Sequence, residues 1–307
     1  MKQLRSLQFS HKNQQKVFML VVFVPMIVYF SIFVIIPMLM GIWGSFTDWQ
    51  GFSVEKHFIG LDNFRRLLTD QIFLKAVQNT FLYVLMYLPA TIILSLGLAL
   101  AIEATGVLRG FFRMVYFMPV VTSTIATALV WAWLYQPSLG LFNQLLRLAN
   151  LPELGFLRST TQALPSIVVY ALWKNMGYNM VLFMAGLTAV STQYYDAAKV
   201  DGAGSFQLFW NITVPLLKPT FVFVSITSTI DALKIFGPIL VMTTPAAYTG
   251  APGGPANSTM VLSLYQWMVA FREGQLGYGA AMGVVLFLIM LGLTFIQLRS
   301  IRVQWEY

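Results

Sequence analysis

Polar side chains interrupt several long apolar stretches of the sequence, and they are the residues best placed to do chemistry. Apolar stretches of this kind are typical of membrane spans, where a polar group is costly and serves a transport pathway or a pairing role. Residues 114–135, 164–190 and 220–242 each carry such groups. Amide and hydroxyl side chains there could hydrogen-bond the hydroxyls of a polar solute. The candidates are Thr122, Ser123, Thr124, Lys174, Asn175, Tyr178, Asn179, Ser228, Asp231 and Lys234.

The spacing of these residues leaves several pairings open. Asp231 and Lys234 are three residues apart, so on a helix they could neutralise each other. Lys174 could extend toward the membrane surface, or pair with Asp231 instead. Asn175 and Asn179 are four residues apart, so both amides would point from one helix face.

The sequence lacks the residues that most enzyme mechanisms need. It contains no cysteine, and its only histidines are His11 and His57, in separate flanking segments. It has no G-x-x-x-x-G-K-[ST] motif, so it carries no nucleotide-binding P-loop of its own. Asp231 is the only acid inside a predicted span, which argues against a paired-aspartate intramembrane protease. We therefore expect no catalytic residues, no metal and no cofactor in this chain.

The segment from Tyr194 to Thr220 is long for a loop between two apolar stretches, and it has a helical pattern of its own. Asp196 is predicted to start a short helix, since an acid is favourable near a helix N-terminus. Gly202 would break that helix, and Pro215 would help end a second one. The pattern predicts a helix–turn–helix held against the membrane face. The alternative is an amphipathic interfacial helix without a partner.

This segment resembles the EAA loop of ABC-importer permeases, whose pattern is E-A-A, three residues, G, nine residues, I-x-L-P. The spacing agrees throughout, with Asp in place of Glu and Val in place of Leu. The matching residues are Asp196, Ala197, Ala198, Gly202, Ile212, Val214 and Pro215. Other motifs resemble the carbohydrate branch of that family, the maltose and glycerol-3-phosphate type. They are SFTDW at 45–49, GLDNF at 60–64, FMP at 117–119, WK at 173–174 and GGPANST at 253–259.

The resemblance implies a type I ABC importer permease fold with the loop as a cytoplasmic coupling helix. It also implies the partners: a second homologous permease, two ATP-binding cassette subunits, an extracytoplasmic solute-binding protein, a carbohydrate solute and membrane lipid, but no nucleic acid. ATP and Mg²⁺ would be bound by the partner ATPase. The residues implied for ATPase coupling are Asp196, Ala197, Ala198, Gly202, Ile212 and Pro215. The residues that fall in the implied solute pathway are Thr124, Asn175, Asn179, Ser228 and Asp231.

Membrane helices must position these residues. Of the 307 residues 58% are hydrophobic and 10% are charged, with a mean hydropathy of +0.72, whereas a soluble domain carries about 25% charged residues. This composition excludes a soluble enzyme, and a span needs about 20 apolar residues. We predict an all-α integral membrane protein with a permease domain over 17–302. Its six spans are predicted at 17–46, 76–102, 114–135, 164–190, 220–242 and 276–298, with the EAA loop at 192–219.

Prolines lie inside or at the ends of these spans. Membrane helices tolerate them when neighbouring groups satisfy the freed carbonyls. They predict either ordinary kinks or hinges around a pathway. The positions are Pro25, Pro37, Pro89, Pro119, Pro165 and Pro238.

The distribution of basic residues predicts the orientation. Six spans would put the N-terminal segment 1–16 and the tail 303–307 on one side of the membrane. That side would hold ten Lys and Arg in short segments, against seven in the longer loops of the other side. Because basic residues favour the cytoplasm, we predict cytoplasmic termini, in a bacterial or archaeal inner membrane.

Three other functions compete with a carbohydrate importer. An ion-coupled secondary transporter would show inverted repeats and buried acids, of which the sequence gives little sign. A channel or structural subunit would not need the EAA spacing. An ABC permease for a non-carbohydrate solute would use the same machinery, and only the flanking motifs argue against it.

Overall fold

The structure, a computed structural model, describes residues 2–51, 53, 55–244 and 252–300. These residues are helical throughout, apart from loops and one isolated antiparallel bridge between Thr47 and Phe58. The predicted tail and most of the segment 244–252 lie outside the described residues. The α-helices are α1 (Lys2–Phe30), α2 (Ile36–Gly44), α3 (Asp62–Thr69), α4 (Gln71–Glu103), α5 (Arg109–Val121), α6 (Thr124–Leu134), α7 (Leu141–Leu148), α8 (Ala163–Ala189), α9 (Thr192–Val200), α10 (Ser205–Leu208), α11 (Val214–Leu216), α12 (Lys218–Leu233), α13 (Gly237–Thr243), α14 (Leu262–Trp267) and α15 (Leu276–Ser300).

The chain divides into two compact units. The first contains the residues up to Arg65 together with Val269–Val284. The second contains Arg66–Met268 and the residues from Val285 onward. The candidate site lies in the second unit.

An apolar helical rod dominates the first unit. It joins α1 and α2 through a π-helical turn at Ser31–Ile35, just before Pro37. Proline has no N–H for the carbonyl of Phe33, which favours a wider turn there. Most side chains of the rod are exposed, so its surface is suited to lipid or to another chain.

The loops of the first unit hold one another through backbone carbonyls. The Asn63 side-chain amide donates to the carbonyls of Ser45 and Thr47, both at 2.9 Å. Gly277 packs so tightly on the Thr47 carbonyl that a Cβ would overlap it, and its N–H donates to the carbonyl of Trp49 at 2.8 Å. Residues of two motifs named from the sequence, SFTDW and GLDNF, therefore meet Gly277 in one place.

The second unit is built on α4 and α8, with α12 packed against both. Asp70 caps α4, because its carboxylate accepts from the N–H groups of Ile72 at 2.9 Å and Phe73 at 3.0 Å. α4 therefore starts before the predicted span at 76. A buried cluster joins the three helices; its members are Leu96, Ala99, Ile102, Met180, Phe183, Met184, Leu217 and Val224.

Within the described residues, three helical segments are long and apolar enough to cross a membrane: Gln14–Gly44, Gln71–Glu103 and Leu276–Arg299. The number rises to five if each of two bent helix pairs counts as one span. α8, which covers the predicted fourth span, is not among them, since its lysine and asparagine side chains lower its mean hydropathy. Six spans therefore stays a prediction.

The predicted third and fifth spans are not single helices. Over 114–135 the chain forms α5 and α6, which meet at 95°. Pro119 lies in the last turn of α5. Over 220–242 the chain leaves α12 at Leu233 and enters α13 at Gly237, where Pro238 is favourable in the first turn.

Candidate functional site

A cavity of about 90 Å³ lies where α4, α6, α8 and α12 meet. The lining residues are Tyr83, Tyr87, Thr124, Tyr170, Ala171, Lys174, Asn175, Asp231, Ala232, Ile235 and Pro238.

The structure brings together three of the five residues predicted for a solute pathway. Thr124, Asn175 and Asp231 line the cavity. Asn179 and Ser228 do not, and both side chains are buried at 4% and 3% exposure. Each lies about one helical turn from a residue that does line it. Whether any of the five residues contacts a solute stays a prediction.

Two tyrosines of α4 belong to the cavity and were missed by the sequence analysis. The rings of Tyr83 and Tyr87 stack with centroids 5.6 Å apart and planes 11° from parallel. Tyr87 faces the Asn175 side chain and lies within electrostatic range of Asp231. Their spacing of four residues within an apolar run was the available signal.

Lys174 does not form the ion pair with Asp231 that was considered from the sequence. Its ammonium group donates instead to the backbone carbonyls of Pro119, Val120 at 3.2 Å and Thr122 at 2.8 Å. Those carbonyls end α5. A helix C-terminus is the negative end of its dipole and favours a cation, which accounts for an ammonium group in a residue only 4% exposed.

The pairing of Asp231 with Lys234 is also wrong. Both residues are exposed, and among the described ion pairs none joins them. Lys234 follows the end of α12 as its C-cap, so its side chain leaves the helix. The Asp231 carboxylate is thus available to the cavity as a hydrogen-bond acceptor.

The segment 192–219, which we call the elbow, is a helix–turn–helix. Its first helix, α9, begins at Thr192 and not at Asp196 as the sequence analysis expected. Ser191 caps it, because its hydroxyl accepts from the N–H of Gln193 at 3.4 Å. Asp196 lies in the middle of α9 with a 71% exposed side chain, 3.9 Å from Lys199.

Gly202 ends α9 in a Schellman motif. Its N–H donates to the carbonyl of Lys199 at 3.1 Å, and the N–H of Ala203 donates to that of Ala198 at 2.9 Å. This arrangement requires a left-handed residue after the helix, and Gly202 has φ of +83°. No atom lies within 4 Å of the position its Cβ would take. The position therefore needs glycine for its backbone angle, and the space around it is open.

The second arm of the elbow is tied to the first and to the helix bundle. α10 leads into a π-helical turn at Phe209–Thr213, which contains Ile212. Pro215 follows in α11 and has no N–H for the preceding turn. The hydroxyls of Tyr195 and Thr213 lie 3.0 Å apart and join the two arms. Leu217, 1% exposed, anchors the base of the elbow in the buried cluster.

The elbow exposes two large aromatic side chains. Phe206 and Trp210 are 75% and 52% exposed, with ring centroids 6.2 Å apart. Ala197 is exposed and Ala198 is half-buried on α9. Exposed aromatic rings suit contact with another protein surface.

The sequence of this chain is similar to those of known transport proteins. The family described as "Binding-protein-dependent transport system inner membrane component" matches residues 72–302. The diacetylchitobiose uptake system permease protein of Streptomyces coelicolor is 36% identical, over 84% of this chain and 74% of the relative. The lactose transport system permease protein of Rhizobium radiobacter is 32% identical, over 91% of this chain and 92% of the relative. The trehalose/maltose transport system permease protein of Thermococcus litoralis is 32% identical, over 90% of each chain.

Solved structures share the fold. A bacterial ABC transporter involved in import of the acidic polysaccharide alginate matches with a TM-score of 0.79 at 23% identity, over 97% of this chain and 100% of that chain. The alginate transporter in complex with an alginate pentasaccharide-bound periplasmic protein matches with a TM-score of 0.78 at 22% identity, over 95% of this chain and 96% of that chain.

Proposed function

The chain belongs to the family of binding-protein-dependent transport system inner membrane components, and from that premise we propose that it is one permease subunit of an ATP-driven importer of a carbohydrate. Permeases for diacetylchitobiose, lactose and trehalose/maltose are among its relatives. The chain forms half of the translocation pathway, and a second, homologous permease forms the other half. An extracytoplasmic binding protein delivers the solute.

The elbow is the observation that carries this proposal. It presents Asp196, Ala197 and Ala198 on an exposed helix, and a Schellman glycine fixes the turn that follows. The elbow docks in a cleft of an ATP-binding cassette subunit. ATP and Mg²⁺ bind that partner, so hydrolysis takes place outside this chain. Closure of the ATPase pair moves the elbow as a rigid lever and biases the pathway between two packings.

The cavity supports a hydroxyl-rich solute. Asn175 supplies both donors and an acceptor, Asp231 supplies acceptors, and Tyr83 and Tyr87 supply a stacked aromatic surface. Carbohydrates present hydroxyls to such polar groups and C–H faces to aromatic rings. The cavity of about 90 Å³ is smaller than an oligosaccharide, and the proposal is that the solute site enlarges when the assembled permease pair rearranges.

We place six spans in the membrane, with α8 as the fourth although its hydropathy is low. It packs against α4, α5 and α12, so neighbouring helices cover its polar side chains instead of lipid. Both termini and the elbow lie in the cytoplasm of a bacterial or archaeal cell. The GGPANST loop then lies outside, where the binding protein docks.

The proposal is tested by reconstituting the chain with its partner permease and ATPase subunits in proteoliposomes. ATP hydrolysis and uptake of labelled oligosaccharides are measured with and without the cognate binding protein. We expect vanadate-sensitive hydrolysis that a sugar-loaded binding protein stimulates. The matched control is the same assembly with an unloaded binding protein.

Two results would contradict the proposal. Uptake that survives vanadate but stops when ion gradients are dissipated would identify an ion-coupled transporter. Stimulation by a binding protein loaded with an amino acid or a metal, and not by one loaded with a sugar, would identify an ABC permease of a different solute class.

A further inference from the structure

The third predicted span breaks inside the helix bundle, and the break leaves backbone groups to be satisfied. α5 ends at Val121, Thr122 and Ser123 are extended, and α6 starts at Thr124 with a bend of 95°. The last carbonyls of a helix have no partner within it. In a membrane such a break persists only when neighbouring protein groups re-satisfy those carbonyls.

One stripe of α8 provides the partners. The Lys174 ammonium has three donors, and it donates to the carbonyls of Pro119, Val120 and Thr122. One turn earlier, the Tyr170 hydroxyl donates to the carbonyl of Thr124 at 2.9 Å, at the start of α6. Lys174 thus holds the end of one helix, and Tyr170 holds the beginning of the next.

The same stripe continues onto α5. Gly177 packs so closely on the Tyr116 backbone that a Cβ would overlap the carbonyl oxygen. Residues 170, 174 and 177 are spaced by four and three, so they lie on one face of α8. In order along this face they contact α6, the break and α5. Such a stripe fixes both arms of the bend.

We propose that Lys174 and Tyr170 form a clamp that holds the broken third span in its bent form, and that Lys174 positions the solute cavity without contacting the solute. Its three donors are already engaged by carbonyls, so none is free for a ligand. Thr124 follows the break directly and lines the cavity beside Asn175. The clamp sets where Thr124 lies relative to Asn175. The predicted effect of the clamp on uptake rests on the proposed transport function. The bend between α5 and α6 does not depend on that function.

The test compares Lys174→Met, which keeps the chain length but has no donor, with Lys174→Arg, which can still donate to carbonyls. Lys75 is an exposed lysine on α4, and Lys75→Met is the control for the loss of one positive charge. The sequence has no cysteine, so spin labels can be attached at Phe111→Cys and Trp133→Cys. These sites are 57% and 74% exposed, on α5 and α6.

Two readouts are taken from the complete transporter in proteoliposomes. We expect one narrow label–label distance in the parent, in Lys174→Arg and in Lys75→Met, and a broad or longer distribution in Lys174→Met. The KM for solute should rise in Lys174→Met by up to about a hundredfold, because a misplacement of about 1 Å can cost about that much. In Lys174→Arg the KM for solute should stay close to that of the parent protein.

An unchanged distance and KM in Lys174→Met would overturn the clamp. If that variant does not assemble, Tyr170→Phe removes a single hydroxyl and takes its place; a parental distance distribution in Tyr170→Phe would then overturn the clamp. If the parent shows no solute-dependent uptake, the transport function fails, whereas the distance measurement still decides whether the clamp holds the bend.

Discussion

At the scale of residues, Asn175 and Asp231 are polar groups that line the cavity proposed to take the solute. The amide donates and accepts, and the carboxylate accepts. No ion pair uses the carboxylate among the described residues. Both groups face the ring system of Tyr83 and Tyr87, so polar and aromatic recognition meet on one surface.

Asn175→Ala should raise the KM for solute about two- to tenfold, because one neutral hydrogen bond contributes about 0.5–1.5 kcal/mol. Asn179→Ala, four residues further along the same helix face and outside the cavity, is the matched variant and should leave KM near the parental value. Solute-dependent uptake in proteoliposomes measures both. Equal effects of the two substitutions would mean that the pathway follows the whole face of α8 and not the cavity.

Part of the cavity could be predicted from the sequence. Polar groups in apolar runs are costly, which is why Thr124, Asn175 and Asp231 could be singled out. Tyr83 and Tyr87 were overlooked, because their rings fit an apolar run and only their spacing of four residues could have singled them out. The contact of Lys174 could not be predicted either, since its carbonyl partners lie more than 50 residues away along the chain.

At the scale of elements, close helix contacts at glycine hold the bundle together. α5 and α8 approach each other at Gly177, where the Tyr116 carbonyl occupies the place of a Cβ. Membrane helices pack through small residues that let backbones come near. This contact supports the bend between α5 and α6.

Gly177→Ala should destabilise the protein by about 1–3 kcal/mol, the usual cost of overpacking. Gly97→Ala is the matched control, since Gly97 lies inside α4 with nothing within 4 Å of its Cβ position. Alanine has the higher helix propensity there, so stability should hold or rise slightly. Thermal unfolding of the purified protein in detergent compares them. Equal midpoints for both variants would argue against a tight α5–α8 contact.

The elements differ in how far the sequence determines them. Apolar runs located α4 and α15, because hydropathy alone defines them, whereas α8 lies over a predicted span although its mean hydropathy is low. The helix–turn–helix of the elbow followed from glycine and proline positions. Pro119 predicted a kink or a hinge, but the bend of 95° depends on partners supplied by α8, which no local pattern contains. α9 begins earlier than expected because Ser191 caps it. The start of the helix was expected at Asp196, and the N-cap signal of Ser191 was overlooked.

At the scale of the whole molecule, the asymmetry of basic residues sets the expected orientation. Ten Lys and Arg flank the predicted spans on one side in short segments, which favours the cytoplasm. The elbow belongs to that side. An importer that is driven by a cytoplasmic ATPase requires this placement.

Single cysteines can test the orientation in a chain that has none of its own. Ser205→Cys lies on the elbow and Ser138→Cys lies between α6 and α7, and both positions are exposed. A membrane-impermeant maleimide added to intact cells should label Ser138→Cys and reach Ser205→Cys only after the membrane is opened. Labelling of Ser205→Cys in intact cells would place the elbow outside and contradict the transport scheme.

Coupling through the elbow is the central claim, and Gly202→Asp tests it most directly. Asp is less favourable than glycine at this left-handed position, and it puts a charge where close contact with the ATPase is proposed. Gly204→Asp is the matched control: Gly204 has φ of −77° and is the N-cap of α10, where Asp is favourable. ATP hydrolysis and solute uptake are measured together in proteoliposomes. We predict that Gly202→Asp keeps hydrolysis but loses most uptake, whereas Gly204→Asp keeps both. Parental uptake per ATP in Gly202→Asp would contradict the claim.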